Sequence, residues 1–238
     1  MAKIKIDSRT SELESGVAYT SFDKALAKLK RNSFEVISLP QNAELRIKEG
    51  KNAYVFTNGN YVREAEISIP NKGIYLVRNS PLLQLELSKE AVKAHRQEEE
   101  YSIESSLAKE YSDKASDAPE AEVFHLTDLE AIKTNKFDTD KRALWLFQTQ
   151  SENYGKFLYD SNIKEMPLWF NSEAYINSQK SPFINQLWLH GSNVEGGYGL
   201  IGFCRRLDYD SNVRGVRPIS GKASSQKITE ENFKIARS

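Results

Sequence analysis

Leu187-Trp188-Leu189-His190-Gly191-Ser192-Asn193-Val194-Glu195-Gly196-Gly197-Tyr198-Gly199-Leu200-Ile201-Gly202-Phe203-Cys204-Arg205-Arg206-Leu207-Asp208-Tyr209-Asp210-Ser211-Asn212-Val213-Arg214-Gly215-Val216-Arg217-Pro218 is the stretch from which the fold is read. Six of the chain's 12 glycines fall in it, with its single cysteine and four arginines. The apolar run over 183–190 predicts a strand. The glycines after it predict a turn, and Phe203 onward reads as a further strand. No helix opens after the glycines.

That absence shapes the chemistry. Gly196-Gly197-Tyr198-Gly199-Leu200-Ile201-Gly202 lacks the Gly-Lys-Ser/Thr ending and the following helix of a nucleotide loop. Asp208-Tyr209-Asp210-Ser211-Asn212 begins like a calcium loop. An EF-hand then needs glycine and glutamate where Val213 and Ile219 stand, and Arg214 adds a positive charge. A polar turn is the default there, with a non-EF cation site as its alternative; no metal ligand set is assigned. Arg205, Arg206, Arg214 and Arg217 read in two ways. They form a patch for carboxylate or phosphate, or they pair with Asp208 and Asp210 as surface salt bridges worth ~0–1 kcal/mol each. His190 and Cys204 would act as base and nucleophile only within hydrogen-bond reach of each other. Cys204, between Phe203 and Arg205, suits a buried inert thiol.

Upstream, a short strand is expected over 3–6. Thr20-Ser21-Phe22-Asp23 has the form of a capping box, and Phe22, Ala25, Leu26 and Leu29 follow one buried helical face. Strands are expected over 34–39, 53–57, 61–69 and 74–77. Asn58-Gly59-Asn60 would turn a hairpin, and Glu64, Glu66 and Ser68 would lie on a wet face. Ser80-Pro81 caps a helical turn, and Ser88 restarts a helix carrying His95, read as a surface residue. Beyond it, a helix fades near Tyr111. A second capping box, Thr127-Asp128-Leu129-Glu130, predicts a helix to Thr134. Strands are expected over 143–148 and 167–170, and a helix capped by Asn171 or Ser172 over 173–177. Leu144-Trp145-Leu146, Tyr154-Gly155 and Tyr159-Asp160-Ser161-Asn162 are echoed by Leu187-Trp188-Leu189, Tyr198-Gly199 and Tyr209-Asp210-Ser211-Asn212. The echo is either a pair of related hairpins or chance.

The expected class is α+β: an N-terminal helix on an antiparallel meander, a helical acidic linker, and a mixed C-terminal half with aromatic strands. The boundaries are an α+β domain with trailing helices over 1–111, an acidic linker over 112–122, an α+β domain over 123–220, and a polar tail or short helix over 221–238. Net charge is zero, yet residues 97–130 hold eleven acidic side chains against two basic ones. This asymmetry does not point to nucleic acid, which calls for a basic excess over a whole domain. A lone cysteine makes no internal disulfide, no targeting segment is seen, and no apolar run nears the ~20 residues of a membrane helix, so a cytoplasmic protein is expected.

Trp188, the glycine-rich turn and Gly215-Val216-Arg217-Pro218 carry a family likeness. Residues 142–220 resemble the closing segment of C-type-lectin-like and formylglycine-generating-enzyme-like domains, which often end on such a strand after a Trp-containing one. The resemblance implies a sheet-and-loop binding scaffold and no particular ligand. Only Cys204 is present, so no catalytic cysteine pair carries over.

Two functions are weighed. The first is a soluble binding or interaction protein, using Trp188, Tyr198, Arg205, Arg206, Tyr209, Arg214 and Arg217 as its surface; Trp, Tyr and Arg dominate binding hot spots. Its partner would be an unknown protein or an anionic ligand, with no membrane and no cofactor, and with nucleic acid left open. The alternative is an enzyme of hydrolase or nuclease type acting on a phosphorylated or nucleic-acid substrate. Its arginines would hold the anion, and His190, Asp208 and Asp210 would be the catalytic candidates. The enzyme needs those three to converge; the binding module needs an exposed aromatic–arginine patch.

Overall fold

The computed structural model describes residues 4–9, 13–192, 198–203 and 206–218. The chain runs β1 (Lys5–Arg9), β2 (Leu13–Thr20), α1 (Phe22–Arg31), β3 (Glu35–Val36), α2 (Leu39–Glu49), α3 (Tyr54–Thr57), β4 (Asn60–Ile69) and β5 (Gly73–Val77). It continues through α4 (Leu85–Arg96), α5 (Ser105–Lys114), β6 (Ala115–Ser116), β7 (Val123–Leu126), β8 (Ile132–Lys133), α6 (Lys141–Phe147) and α7 (Ser151–Asp160). Then come β9 (Glu165–Met166), β10 (Leu168–Trp169), α8 (Glu173–Ser178), β11 (Phe183–Leu189), β12 (Leu200–Ile201) and β13 (Ser211–Pro218). The class is α+β, as expected.

β4 is the spine. It pairs antiparallel with β11 along most of its length, with Ile67 opposite Ile184 and Glu66 opposite Asn185. β5 flanks its far end, and β13 touches it at Tyr61. β13 lies antiparallel against β2 over eight residue pairs, so the last described strand sits inside the sheet beside one of the first. The described path is β1-β2-β13-β4-β11-β12-β10.

Alternation along these strands feeds two cores. Val62, Leu76, Phe124 and Leu187 face Leu39 and Ala43 of α2, Trp145 and Phe147 of α6, and Tyr154 and Leu158 of α7. Ala65, Ile67, Val77, Ile184 and Trp188 face the predicted α1 stripe of Phe22, Ala25, Leu26 and Leu29, with Ala91 and Val92 of α4 and Ala108 of α5. Helices thus cover both faces. The wet face expected for Glu64, Glu66 and Ser68 does not exist; all three are buried.

Other expectations fall for local reasons. The strand expected over 53–57 is instead the short helix α3, capped by Ala53, so Asn58-Gly59 makes no hairpin and β4 pairs with β11. Gly59 serves a close approach: a Cβ there would lie 2.5 Å from Nε1 of Trp188. The strand expected over 34–39 is reduced to β3, because α2 already starts at Leu39 with Pro40 in its first turn. Ser38 accepts from the Gln41 N–H, Gln41 Oε1 accepts from the Ser38 N–H, and proline suits a first turn that needs no N–H donor. The Thr20 box is not formed; Ser21 precedes α1, its hydroxyl donating to Asp23. Ser88 lies inside α4, not at its start. Asp140 caps α6 at the Arg142 and Ala143 N–H groups, making residues 141–147 helical where a strand was expected. The expected helix at 127–134 is replaced by β8, paired with β9. Phe203 lies outside any strand, and the next strand among the described residues begins at Ser211.

The echo is not a structural pair, since Leu144-Trp145-Leu146 is helical and Leu187-Trp188-Leu189 is a strand. The 112–122 segment is tied to the body. β6 pairs with β7, Arg78 donates to the Pro119 carbonyl (2.9 Å), and Trp145 Nε1 donates to that of Ala121 (2.8 Å). Strands from both sides of it share one sheet. The tail over 221–238 lies outside the described residues.

Candidate functional site

The expected surface residues separate into framework and rim. Trp188 is buried, edge-on to Tyr61 at 5.0 Å between ring centres. Tyr198 is buried with its hydroxyl at the Arg46 guanidinium, 2.8 Å away. Arg214 is fully buried; its Nη1 donates to Asp7 Oδ1 (2.7 Å) and Ser15 Oγ (2.9 Å). These three hold the sheet and present nothing to solvent. Arg217 is half-buried, paired with Glu14 (2.7 Å) and stacked on Phe34 at 4.5 Å. The expected anion patch is therefore not assembled from Arg206, Arg214 and Arg217: each already meets a carboxylate. Arg205 and Cys204 lie outside the described residues.

The enzyme's triad does not assemble either. His190 is buried edge-on to Trp169, with its carbonyl on Arg46. Asp208 accepts both Nε (3.0 Å) and Nη2 (2.9 Å) of Arg206. The histidine near Asp208 is His95, buried rather than a surface residue, whose Nδ1 accepts from the Leu207 N–H (2.9 Å). Burial lowers the His95 pKa, with Asp208 opposing. Asp210 is exposed, while Asn212 turns its amide to the Gly59 carbonyl (3.0 Å). Among the described residues, no group of three His, Cys, Asp or Glu side chains is placed to hold a metal.

What remains exposed is Tyr209, 58% accessible, with the Arg206 guanidinium 4.5 Å from its ring centre. Arg206 also donates to the His95 carbonyl (2.7 Å), so it is braced from behind. Hydrogen bonding to Arg206 holds Asp208 below the usual carboxylate range.

Beside this pair opens a cleft of about 260 Å³, lined by His95, Glu98, Glu99, Glu100, Tyr175, Asn185 and Arg206. Glu98 takes a left-handed φ of 62° after α4, and the chain then runs along β11, the Tyr101 carbonyl accepting from the Ile184 N–H (3.1 Å). Glu100 is thereby set beside β11, where Tyr175 donates its hydroxyl to it (2.8 Å). Burial raises Glu100, and that hydrogen bond opposes the shift. Glu66 lies beneath, opposite Asn185 in register. Burial pushes Glu66 up to about 8; the Ser68 hydroxyl (2.5 Å) opposes, the Glu100 charge adds, and the Asn185 amide opposes weakly.

Sequence reading missed Glu66, Glu100, Asn185 and Tyr175. Glu66 looked like a solvated strand position, and Glu98–Glu100 like the edge of an acidic spacer. The one local clue was a glutamate alternating with Tyr61, Ala65 and Ile67 on a strand destined for burial.

No family model matches the chain, and no curated protein matches it. A solved structure does, described as the accommodation of massive sequence variation in Nanoarchaeota by the C-type lectin fold. It aligns with a TM-score of 0.60 at 11% identity, over 90% of this chain and 100% of that one. At that identity the likeness concerns fold alone. It reaches well beyond the 142–220 segment on which the sequence resemblance rested. The fold of this chain is similar to the C-type lectin fold.

Proposed function

We propose that this chain is a non-catalytic binding module. Its contact surface is the rim of the cleft between α4, α8 and β11, with Tyr209 and Arg206 at the edge. The observation that carries this reading is the exposed Tyr209 ring stacked with an Arg206 already fixed by Asp208 and the His95 carbonyl. A side chain held in place before binding loses less entropy on association. Tyr and Arg are also the residue types that supply most hot-spot energy.

The similar solved fold supports a scaffold role. It accommodates massive sequence variation, and this chain builds a similar frame at 11% identity. The partner in this reading is a protein or small ligand. Among the described residues no helix is long and apolar enough to cross a membrane, and a cytoplasmic setting fits the lone cysteine.

The test is to probe peptide and glycan arrays with the parent chain and with Tyr209→Ala. A discrete set of ligands bound by the parent, and weakened about tenfold or more in the variant, supports the reading. No selective binding, or equal binding by both, overturns it.

A further inference from the structure

We infer that His95 latches the turn that carries Arg206 and Tyr209: the turn is closed on a neutral imidazole, and acid shifts it open. This is a regulation of the rim proposed above as the contact surface, and its bearing on binding rests on that reading.

The geometry fixes where the proton sits. His95 belongs to the last turn of α4, is 8% exposed and stands in the wall of the cleft. Its Nδ1 accepts from the Leu207 N–H at 2.9 Å. A ring nitrogen that accepts a hydrogen bond carries no proton of its own, so the closed form holds the neutral ring with its hydrogen on Nε2. A proton added at Nδ1 would set two N–H donors against each other. The imidazolium therefore forms only once the Leu207 bond is broken.

That bond holds the centre of the turn. Leu207 lies between Arg206 and Asp208; its side chain is buried, and its carbonyl accepts from the Phe22 N–H at the start of α1 (2.9 Å). One residue is thus pinned to α4 through its N–H and to α1 through its carbonyl. Arg206 reaches back from the same turn to the His95 carbonyl (2.7 Å), while Asp208 holds its guanidinium and Tyr209 stacks on it. Lifting Leu207 from His95 moves these groups together and removes the order that favours binding.

The surroundings set the sign. Burial disfavours the charged ring most; Asp208 opposes that and Arg206 adds to it. Glu98, Glu99 and Glu100 line the cleft from the segment after α4, whereas β11 and α8 contribute the uncharged Asn185 and Tyr175. The α1 stripe of Phe22, Ala25, Leu26 and Leu29 shares its core with Ala91 and Val92 of α4 and is apolar. These carboxylates favour a proton on a released ring, but none relieves the clash at Nδ1. A released histidine titrates near ~6.5. The closed form cannot take that proton, so its stability is fully present above pH ~6.5 and is lost as pH falls.

The experiment is amide hydrogen exchange of the full chain, read by NMR between pH ~7.5 and ~5 and corrected for the intrinsic pH dependence of exchange. Leu207 protection is expected to fall about thirtyfold over that range. Phe22 should fall in parallel, because its acceptor is the Leu207 carbonyl, and Ile37, which donates to the Arg214 carbonyl (3.0 Å), should not. His95→Asn puts an acceptor that does not titrate near the place of Nδ1 and should flatten the Leu207 profile. Leu207 protection that holds or rises toward acid overturns the inference. So does a fall at Leu207 without one at Phe22, which would mean that the ring turns and the turn stays. A fall shared by Ile37, or an unchanged profile in a folded His95→Asn protein, overturns it as well. Should His95→Asn fail to fold, the ring nitrogen shifts of the parent decide: Nδ1 without a proton down to pH ~5 supports the latch, and a ring that titrates near ~6.5 with the Leu207 amide unmoved overturns it. No ligand enters these measurements, so the latch and the rim reading fail separately.

Discussion

The hydroxyls of Tyr154 and Tyr198 hydrogen-bond to each other against one buried guanidinium, that of Arg46. Arg46 is fully buried and, among the described residues, pairs with no carboxylate; its Nη1 donates to both hydroxyls and to the His190 carbonyl, while Nε and Nη2 have no partner among the described residues. Burial disfavours its charge, and the two tyrosines oppose that.

Removing one hydroxyl should therefore be costly. Tyr198→Phe is expected to destabilise by about 1–3 kcal/mol, the usual penalty for leaving a buried donor unmatched. Tyr154→Phe with Tyr198→Phe should not be additive, because both hydroxyls serve the same guanidinium. Urea unfolding of the parent, both single variants and the double variant reads the coupling directly.

Gly59→Ala tests the junction of β4 and β11. The added methyl meets the Trp188 indole at 2.5–2.7 Å, well inside contact distance. The ring is buried and already packs edge-on against Tyr61. Destabilisation of about 1–3 kcal/mol is expected, as for an overpacked core. Trp188 emission should shift with it. An unchanged midpoint would mean that the ring is not held there.

Glu64 and Glu66 make stability depend on pH. Glu64 accepts from the Leu39 N–H at the start of α2, yet burial pushes it to about 7, and Glu66 reaches about 8. Both values are raised above the unfolded value of 4.5, so the folded state holds the protons longer. Their contribution is fully present below pH ~4.5 and is lost as pH rises toward about 8, on the order of a few kcal/mol. Asp140 and Asp208 are depressed, so theirs is lost only as pH falls below ~4. Urea midpoints should fall between pH 5 and 8.5, and Glu66→Gln should flatten that slope. A midpoint that rises over this range would contradict the burial of both groups.

These sites also mark how far the sequence could be read. α1, β5, α8 and β11 were legible because a cap or a period is a local property. Leu144-Trp145-Leu146-Phe147 was not, since a short apolar run fits strand or helix alike; Asp140 was the overlooked cap. Arg206 and Tyr209 were legible as residue types. Glu66 and Asn185 come together only through the β4–β11 register, which no local pattern encodes. Covering both sheet faces with helices turned an alternating polar strand into a buried one.

Arg214 gives the sharpest separation between pairing and packing. Its ion pair with Asp7 (2.6 Å) is 1% exposed on both sides and ties β1 to β13 across β2. A buried pair repays its desolvation only while both partners remain. Arg214→Met alone strands a buried carboxylate and is expected to cost about 3–5 kcal/mol; Asp7→Asn alone strands the guanidinium at similar cost. Arg214→Met with Asp7→Leu removes both charges and should recover most of that loss. Guanidinium-chloride unfolding of the four proteins measures this. A double variant as unstable as the singles would show that Ser15 and Asn60, which also accept from Arg214, rather than Asp7, hold this end of the sheet.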